Sequence, residues 1–172
     1  MKNLLCLLLC AFAGDVLAAG SRPLHDLQQD FVDTRFGMFI HFNMPTYVDQ
    51  DWPDPDASPE LFNPSKLDCR QWARAARSAG MTYGCLTTKH HSGFCIWDTQ
   101  TTPYNVMNSP CKRDVVREYV DAFRAEGLGV SLYYSILDTH HRLRPGWITP
   151  EHVQLVKAQL RELLTRYGPI QA

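Results

Sequence analysis

The sequence predicts an α/β fold in which parallel strands alternate with helices. Three apolar runs begin at Arg35, Met81 and Leu128, and each is long enough for one buried strand. A polar loop follows each run, and a segment with helical periodicity follows each loop. Because the right-handed crossover of a βαβ unit returns the chain to the same sheet in the same direction, this succession indicates a parallel sheet.

The overall composition is that of an ordinary globular protein. Of the 172 residues, 45% are hydrophobic, and the formal net charge at pH 7 is −1. A chain of this length forms one domain or part of a larger one, since domains hold roughly 100 to 200 residues. The charge balance offers no basic surface for a polyanion, so we expect no nucleic-acid partner.

The amino terminus differs from the rest of the chain. Lys2 precedes an apolar run from Leu4 to Ala13, and short side chains follow at Val16 to Ala18. A membrane span needs about 20 apolar residues, so this run predicts a secretory signal peptide over residues 1–18 rather than a membrane anchor. A membrane-tethering helix is the alternative. We therefore expect a secreted or periplasmic protein with no membrane partner, formed by residues 19–172.

The cysteines that follow the predicted signal peptide are four in number. In an oxidising compartment they could form disulfides in three connectivities. Cys85 falls inside an apolar run and is expected to behave as a small buried apolar residue. The four are Cys69, Cys85, Cys95 and Cys111.

The first unit begins with Arg35–Phe42, an apolar run that carries His41 near its end. Such a run is typical of a strand buried on both faces. The loop from Asn43 to Pro64 is rich in proline and aspartate, and a loop of this length is commonly a binding loop. We expect Trp52 and Phe62 to be buried and to keep this loop ordered.

A helix and the second strand come next. The helix is predicted over Lys66–Ala79 and stops at Gly80. The strand Met81–Thr88 leads into the loop Lys89–Phe94. Because neighbouring side chains of a strand face opposite ways, the two histidines of this loop reach one ligand only where the chain leaves the strand between them. The helix carries an apolar stripe made of Leu67, Trp72, Ala75, Ala76 and Ala79.

The third unit repeats the pattern. A helix over Arg113–Glu126 presents apolar residues at helical spacing and precedes the strand Leu128–Ser135. The last helix begins at the N-cap Thr149 and ends at Gly168, and the residues after it predict the start of a fourth strand. The stripe of the third-unit helix is Val116, Tyr119, Val120 and Phe123; that of the last helix is Val153, Val156, Leu160, Leu163 and Leu164.

Three to four βα units are about half of a (β/α)8 barrel. A complete barrel of this kind, a TIM barrel, needs about 250 residues and at least 200. The fold class we predict is therefore α/β, in the form of a partial (β/α)8 TIM barrel. Every long loop follows a strand, so the residues that end the strands share one rim.

Histidine is the informative residue of that rim. Five histidines lie at or beyond the predicted strand ends, where they could be metal ligands, acid and base groups, or neutral partners for hydroxyl groups. No HxH or HExxH pattern is present, so we expect no metal and no cofactor. Aromatic residues in the same loops favour a sugar ligand, although core packing is the simpler explanation for Tyr133 and Trp72. The histidines are His41, His90, His91, His140 and His141; the aromatics are Trp52, Phe94, Trp97, Tyr134 and Trp147.

Several of these motifs together resemble the amino-terminal half of the α-L-fucosidases of glycoside hydrolase family 29. The similarity runs from about Phe31 to Ile170, and the Asp51-Trp52 pair is most similar to the branch that acts on α-1,3/1,4-linked fucose. The resemblance implies a secreted retaining exo-glycosidase on a (β/α)8 barrel. The motifs are Arg35–Phe42, Leu61–Pro64, Trp72 with Ala79-Gly80, Lys89–Phe94, Arg113–Val116 and Tyr133–Ser135.

The resemblance also implies site residues. His41, His90 and His91 would bond fucose hydroxyl groups, Trp52 and Asp51 would line the pocket, and Tyr134 would lie near the reacting centre. The family usually has Gly, Glu and Asp where this chain has Asn43, Asp51 and Ser92, so hydroxyl recognition is expected to differ.

A retaining glycosidase needs two carboxyl groups about 5 to 5.5 Å apart. By the resemblance, the nucleophile and the acid/base are expected beyond Ala172. Asp98 and Asp138 follow the second and third strands, but nothing in their spacing indicates a catalytic pair, and loop capping is the simpler explanation. Two hypotheses remain: part of an α-L-fucosidase acting on fucosylated glycans and inactive by itself, or a truncated, non-catalytic fucose-binding or assembly protein. The oligomeric state is left open.

Overall fold

A computed structural model describes residues 22–171, and the predicted signal peptide over residues 1–18 lies outside them. Within the described range the chain forms one three-stranded sheet in the order β1-β2-β3, and both strand pairs are parallel. The strands are β1 (Gly37–Ile40), β2 (Tyr83–Lys89) and β3 (Gly129–Tyr134). The predicted α/β class with a parallel sheet is confirmed.

Five helices accompany the sheet: α1 (Leu24–Thr34), α2 (Pro45–Val48), α3 (Cys69–Ser78), α4 (Val115–Ala125) and α5 (Pro150–Arg166). Two of these helices, α1 and α2, have no counterpart among the elements predicted from the sequence. The predicted N-cap Thr149 is confirmed, since its side chain accepts from a backbone N–H in the first turn of α5. Asp68 and Asp114, which were not predicted as caps, accept in the same way at the start of α3 and α4. None of the helices in this range is both long and apolar enough to cross a bilayer.

The hydrophobic core lies between the sheet and the helices α3 and α4. Leu86 and Val130 point from the strands into this layer, and Phe123 of α4 packs so closely on Gly84 that any side chain there would overlap its ring. The apolar stripe predicted for α4 is confirmed, because all four of its members are buried. After α5, the N–H of Gln171 donates to the carbonyl of Val130 (2.8 Å), so the chain returns beside β3, as predicted for a fourth strand.

Several expectations about burial are wrong. The first strand is not buried on both faces, because the packed helices cover one side of the sheet and leave Phe39 54% exposed. Ala75 and Ala79 of the α3 stripe and Val153 and Leu164 of the α5 stripe are also exposed, so each helix buries a narrower stripe than its apolar pattern suggests. The expectation that Cys85 is buried is also wrong, because the residue is partly exposed. All four cysteines of the described range are free thiols.

Candidate active site

A pocket of about 260 Å³ lies at the carboxyl ends of β1 and β2. His41 comes directly after β1, and His90 directly after β2, so the parallel sheet brings both imidazoles to the same edge. Asp51 reaches the pocket from the loop that follows β1, and Thr87 forms part of it from β2. Within the described part of the chain, Asp51 is the only carboxylate among the lining residues.

The chain leaves β2 in a way that lets two adjacent histidines share one region. The N–H of Gly93 donates to the carbonyl of His90 (3.0 Å), which closes a turn, and Gly93 has the left-handed φ of +87° that glycine adopts without strain. The ring centroids of His90 and His91 are 4.5 Å apart, and those of His41 and His90 are 6.1 Å apart. The turn therefore lets both adjacent histidines reach one ligand, which two neighbouring residues of a regular strand could not do.

Trp52 stands beside this group of imidazoles. Its indole stacks on the ring of His91, with centroids 4.9 Å apart and planes 18° from parallel. The expectation that Trp52 is buried is wrong: the residue is 61% exposed, because its loop crosses the open rim and only one face of the ring meets His91. The exposed face is available to a ligand.

The imidazoles of His90 and His91 favour the neutral form. Burial lowers the pKa of His90 below its ordinary value, and the neighbouring His91 and His41 lower it further against a small opposing effect of Asp51. Burial, followed by the nearby His41, also lowers the pKa of His91. A neutral imidazole has one donor and one acceptor nitrogen, which suits ligands that carry hydroxyl groups.

The imidazole of His91 is oriented by a hydrogen bond with Ser135 of the loop after β3. The Ser135 hydroxyl donates to the carbonyl of Leu137 (2.7 Å), and its oxygen lies 2.6 Å from Nδ1 of His91. Because the single hydroxyl proton is already used, Nδ1 is the donor in this contact, and Nε2 is left as the acceptor. The backbone carbonyl of His91 also accepts from the N–H of Thr139 (2.8 Å). The third strand thus fixes the orientation of a side chain from the second.

Tyr134 is not grouped with the histidines. Its hydroxyl donates to Oε1 of Gln159 (2.6 Å) and accepts from Nζ of the fully buried Lys89 (3.0 Å). Side chains alternate along a strand, so Tyr133 points to the face of His41 instead, with ring centroids 6.1 Å apart. The geometry therefore places Tyr133, and not Tyr134, on the face of the sheet that carries His41, while the part of Tyr134 in binding stays a prediction.

Asp138 belongs to the same buried network as Lys89. Its Oδ2 accepts from Lys89 Nζ (2.9 Å) and from Nδ1 of His141 (2.9 Å), and its Oδ1 accepts from the backbone N–H of His141 (2.9 Å). Burial opposes ionisation, but the hydrogen bond from His141 and the charge of Lys89 hold the pKa of this carboxyl well below its usual range. Asp138 is thus a structural anion that caps its loop, as the sequence suggested. Asp98 lies elsewhere and pairs with Arg166 (3.6 Å).

The other two histidines of the rim have structural partners. His140 stacks on Tyr104 with centroids 4.0 Å apart, and its Nδ1 donates to the carbonyl of Pro55 (2.6 Å). His141 is bound to Asp138, as described above. Nowhere in residues 22–171 do three or more His, Cys, Asp or Glu side chains form a group suited to a metal ion.

The structure thus brings five of the six predicted site residues together, and their part in binding stays a prediction. It also adds three residues that sequence reasoning missed at this site: Asn43, Thr87 and Tyr133. Asn43 is buried and donates to the carbonyl of Phe94 (3.2 Å), tying the first loop to the second. The polar Thr-Thr-Lys end of an otherwise apolar strand was the available signal for Thr87. The five grouped residues are His41, Asp51, Trp52, His90 and His91.

A parallel α/β fold with imidazoles, a carboxylate and an open aromatic ring at the strand ends is typical of the α/β proteins that bind a small molecule at the carboxyl ends of their strands. The family model described as "Alpha-L-fucosidase" matches residues 43–172. The chain belongs to the α-L-fucosidase family, glycoside hydrolase family 29.

Individual relatives agree with this assignment. Alpha-L-fucosidase 1 of Arabidopsis thaliana is 38% identical over 136 residues, which are 77% of this chain and 26% of that protein. A crystal structure of a glycoside hydrolase 29 family member from an unknown rumen bacterium superposes with a TM-score of 0.77 at 47% identity, covering 84% of this chain and 26% of that one.

A third relative, from Bacteroides thetaiotaomicron, was solved as a trapped covalent intermediate of a GH29 α-L-fucosidase with 2-fluoro-fucosyl fluoride. It has a TM-score of 0.72 at 30% identity and covers 84% of this chain and 40% of that one. The chain thus spans about a quarter of the length of the plant relatives that it matches.

Proposed function

We propose that this chain supplies the fucose-binding part of an α-L-fucosidase that hydrolyses terminal α-L-fucose from fucosylated glycans. The observation that carries the proposal is the group of His41, His90 and Asp51 around one pocket, next to the Trp52–His91 stack. Family membership supports the same reaction, since the named relatives are α-L-fucosidases.

The site suits the chemistry of a deoxyhexose. An imidazole nitrogen can donate to or accept from a sugar hydroxyl; Nε2 of His91 is left as an acceptor, and the Asp51 carboxylate accepts as well. The exposed face of Trp52 offers an apolar platform for the C–H side of a sugar ring. Five predicted residues therefore have complementary roles: His41, His90 and His91 as hydroxyl partners, Asp51 as acceptor and Trp52 as platform.

We further propose that the sheet is the first part of a (β/α)8 barrel. Both crossovers keep α3 and α4 on one side of the sheet, as in a barrel with an outer ring of helices. A doubly wound sheet would carry helices on both faces. The opposite face holds Phe39, Cys85 and Tyr133, and it borders an open space of about 270 Å³. These residues would then face the interior of the barrel.

The proposed reaction retains the anomeric configuration, which requires a nucleophilic carboxylate and an acid/base carboxyl. The trapped covalent intermediate of the Bacteroides relative supports a glycosyl-enzyme route. Asp138 is ion-paired and buried, and Asp98 pairs with Arg166, so we propose neither of them as one of the two catalytic groups. The protein is proposed to be secreted or periplasmic because of the signal-like pattern over residues 1–18.

Hydrolysis of p-nitrophenyl α-L-fucoside tests the activity. The assay compares the longest product of the gene with the 172-residue chain, and p-nitrophenyl β-D-galactoside serves as the specificity control. Calorimetry with methyl α-L-fucoside is done on both proteins. We expect both to bind the fucoside and the 172-residue chain to release no p-nitrophenol. Binding without turnover in every product would favour the non-catalytic alternative, and no binding at all would refute the proposal.

A further inference from the structure

Two polar atoms at the pocket have no hydrogen-bond partner among the residues described. They are the hydroxyl oxygen of Thr87 and Nδ1 of His90, and both atoms are buried. Thr87 as a whole is 0% exposed, and both residues line the pocket. Native structures seldom leave buried polar atoms unpaired unless water or a ligand satisfies them. The pair therefore marks a position where a ligand atom is expected.

The position of Thr87 in β2 directs it toward the site. Thr87 is paired in register with Tyr133 of β3, whose ring lies on the face of the sheet occupied by His41. The next residue, Thr88, points to the other face, and its hydroxyl donates to the carbonyl of Tyr133 (2.8 Å). The hydroxyl of Thr88 thus has a hydrogen-bond partner within the protein, whereas the hydroxyl of Thr87 has none among the described residues.

We propose that Thr87 and His90 together recognise one hydroxyl group of the sugar in the pocket. A hydroxyl group both donates and accepts, so it can satisfy Nδ1 of His90 in either tautomer and the Thr87 oxygen at the same time. This inference rests on the proposed function, because it takes the ligand to be a fucose unit. It makes Thr87 a specificity determinant, although its place in a buried strand would suggest packing alone.

The Thr87→Val substitution tests the proposal because valine keeps the branched shape and removes the hydroxyl. Calorimetry with methyl α-L-fucoside is expected to show about tenfold weaker binding. Urea unfolding is expected to show an unchanged or higher midpoint, since the variant no longer buries an unpaired hydroxyl. The matched control is Thr88→Val, which loses the bond to the carbonyl of Tyr133. That control should be less stable and should bind the fucoside as the wild type does.

A second measurement identifies the hydroxyl. The 2-, 3- and 4-deoxy analogues of methyl α-L-fucoside are titrated into the wild-type chain and into Thr87→Val. We expect one analogue to bind about tenfold more weakly than the parent fucoside to the wild type, and the variant to have lost most of that difference. Such coupling would not arise from a purely structural role of Thr87.

The outcomes separate this inference from the function on which it rests. If the wild type binds the fucoside and Thr87→Val binds it equally well, the role of Thr87 is refuted and the proposed function stands. If the variant loses affinity but discriminates all three analogues as the wild type does, Thr87 acts through stability or shape, and the inference is also refuted. A wild type that binds no fucoside overturns both.

Discussion

The indole of Trp52 lies against the imidazole of His91 in a nearly parallel stack, with ring centroids 4.9 Å apart. Trp52 belongs to the loop after β1 and His91 to the loop after β2, so the contact joins the ends of two neighbouring strands. Ser135 supports His91 from the third strand. One exposed aromatic face is thereby held in place by residues from all three units of the sheet.

Removing that aromatic face should weaken binding without unfolding the chain. For Trp52→Ala we expect affinity for methyl α-L-fucoside to fall by about 1 kcal/mol, because an aromatic contact is typically worth 0.5 to 1.5 kcal/mol. The unfolding free energy should change little, since Trp52 is mostly exposed. Calorimetry and urea unfolding measure the two quantities. The control is Trp147→Ala, a tryptophan of similar exposure that, among the described residues, does not stack on His91, and an equal loss of affinity there would contradict the assignment.

The imidazole of His90 should contribute to affinity directly. We expect His90→Ala to bind methyl α-L-fucoside about 1 to 3 kcal/mol more weakly, because a hydrogen bond from a sugar hydroxyl is lost and its partner stays unpaired. Titration calorimetry gives the value. His152→Ala is the matched control, since His152 caps α5 and lies among none of the pocket residues. That variant should lose stability and keep its affinity; unchanged affinity in His90→Ala would make His90 structural.

Stability should depend on pH through His90. Its pKa in the folded chain lies below the ordinary value of 6.5, as burial and the nearby His91 and His41 lower it more than Asp51 raises it. Between the two pKa values the unfolded chain binds more protons, so stability rises with pH there. The contribution of His90 to the free energy of unfolding is complete above about pH 6.5 and is lost as the pH falls through the pKa of His90 in the folded chain. Urea midpoints at pH 7.5 and pH 5 should differ less for His90→Gln than for the wild type, and an equal difference would refute this.

The buried pair of Lys89 and Asp138 should be strongly coupled. Lys89→Met is expected to lower the unfolding free energy by about 3 to 5 kcal/mol, because it leaves the Asp138 carboxylate buried without its ammonium partner. In Lys89→Met/Asp138→Asn the loss should be smaller than the sum of the single losses. Urea unfolding of the four proteins completes the cycle. Additive losses would mean that the two side chains do not depend on each other.

Much of this architecture could be predicted from periodicity and capping. The three strands and the helices α3, α4 and α5 were predicted within a few residues, because apolar runs, N-cap residues and glycine stops are local signals. The edge of the sheet that carries His41 and His90 followed from the parallel topology. The helix α1 was missed, and none of its residues is buried, so its formation depends little on a core.

The details of the site depended on contacts that no local pattern encodes. Tyr133 and Tyr134 are adjacent and alike in chemistry, and only the register with β2 decides which of them faces His41. Lys89 looks in sequence like the first residue of the histidine loop. In the fold it is the last residue of β2, and its ammonium group lies buried among Tyr134, Asp138 and Gln159.

The sequence by itself determined the succession of strands and helices, the caps and the rim on which the histidines lie, because these depend on residues close together along the chain. The tertiary structure decided which side chains meet: that Trp52 covers His91, that His140 and His141 have other partners, and that Thr87 has none among the described residues. The physical reason is that hydrogen bonds and ring contacts form between residues tens of positions apart, and their geometry follows from packing rather than from spacing in the chain.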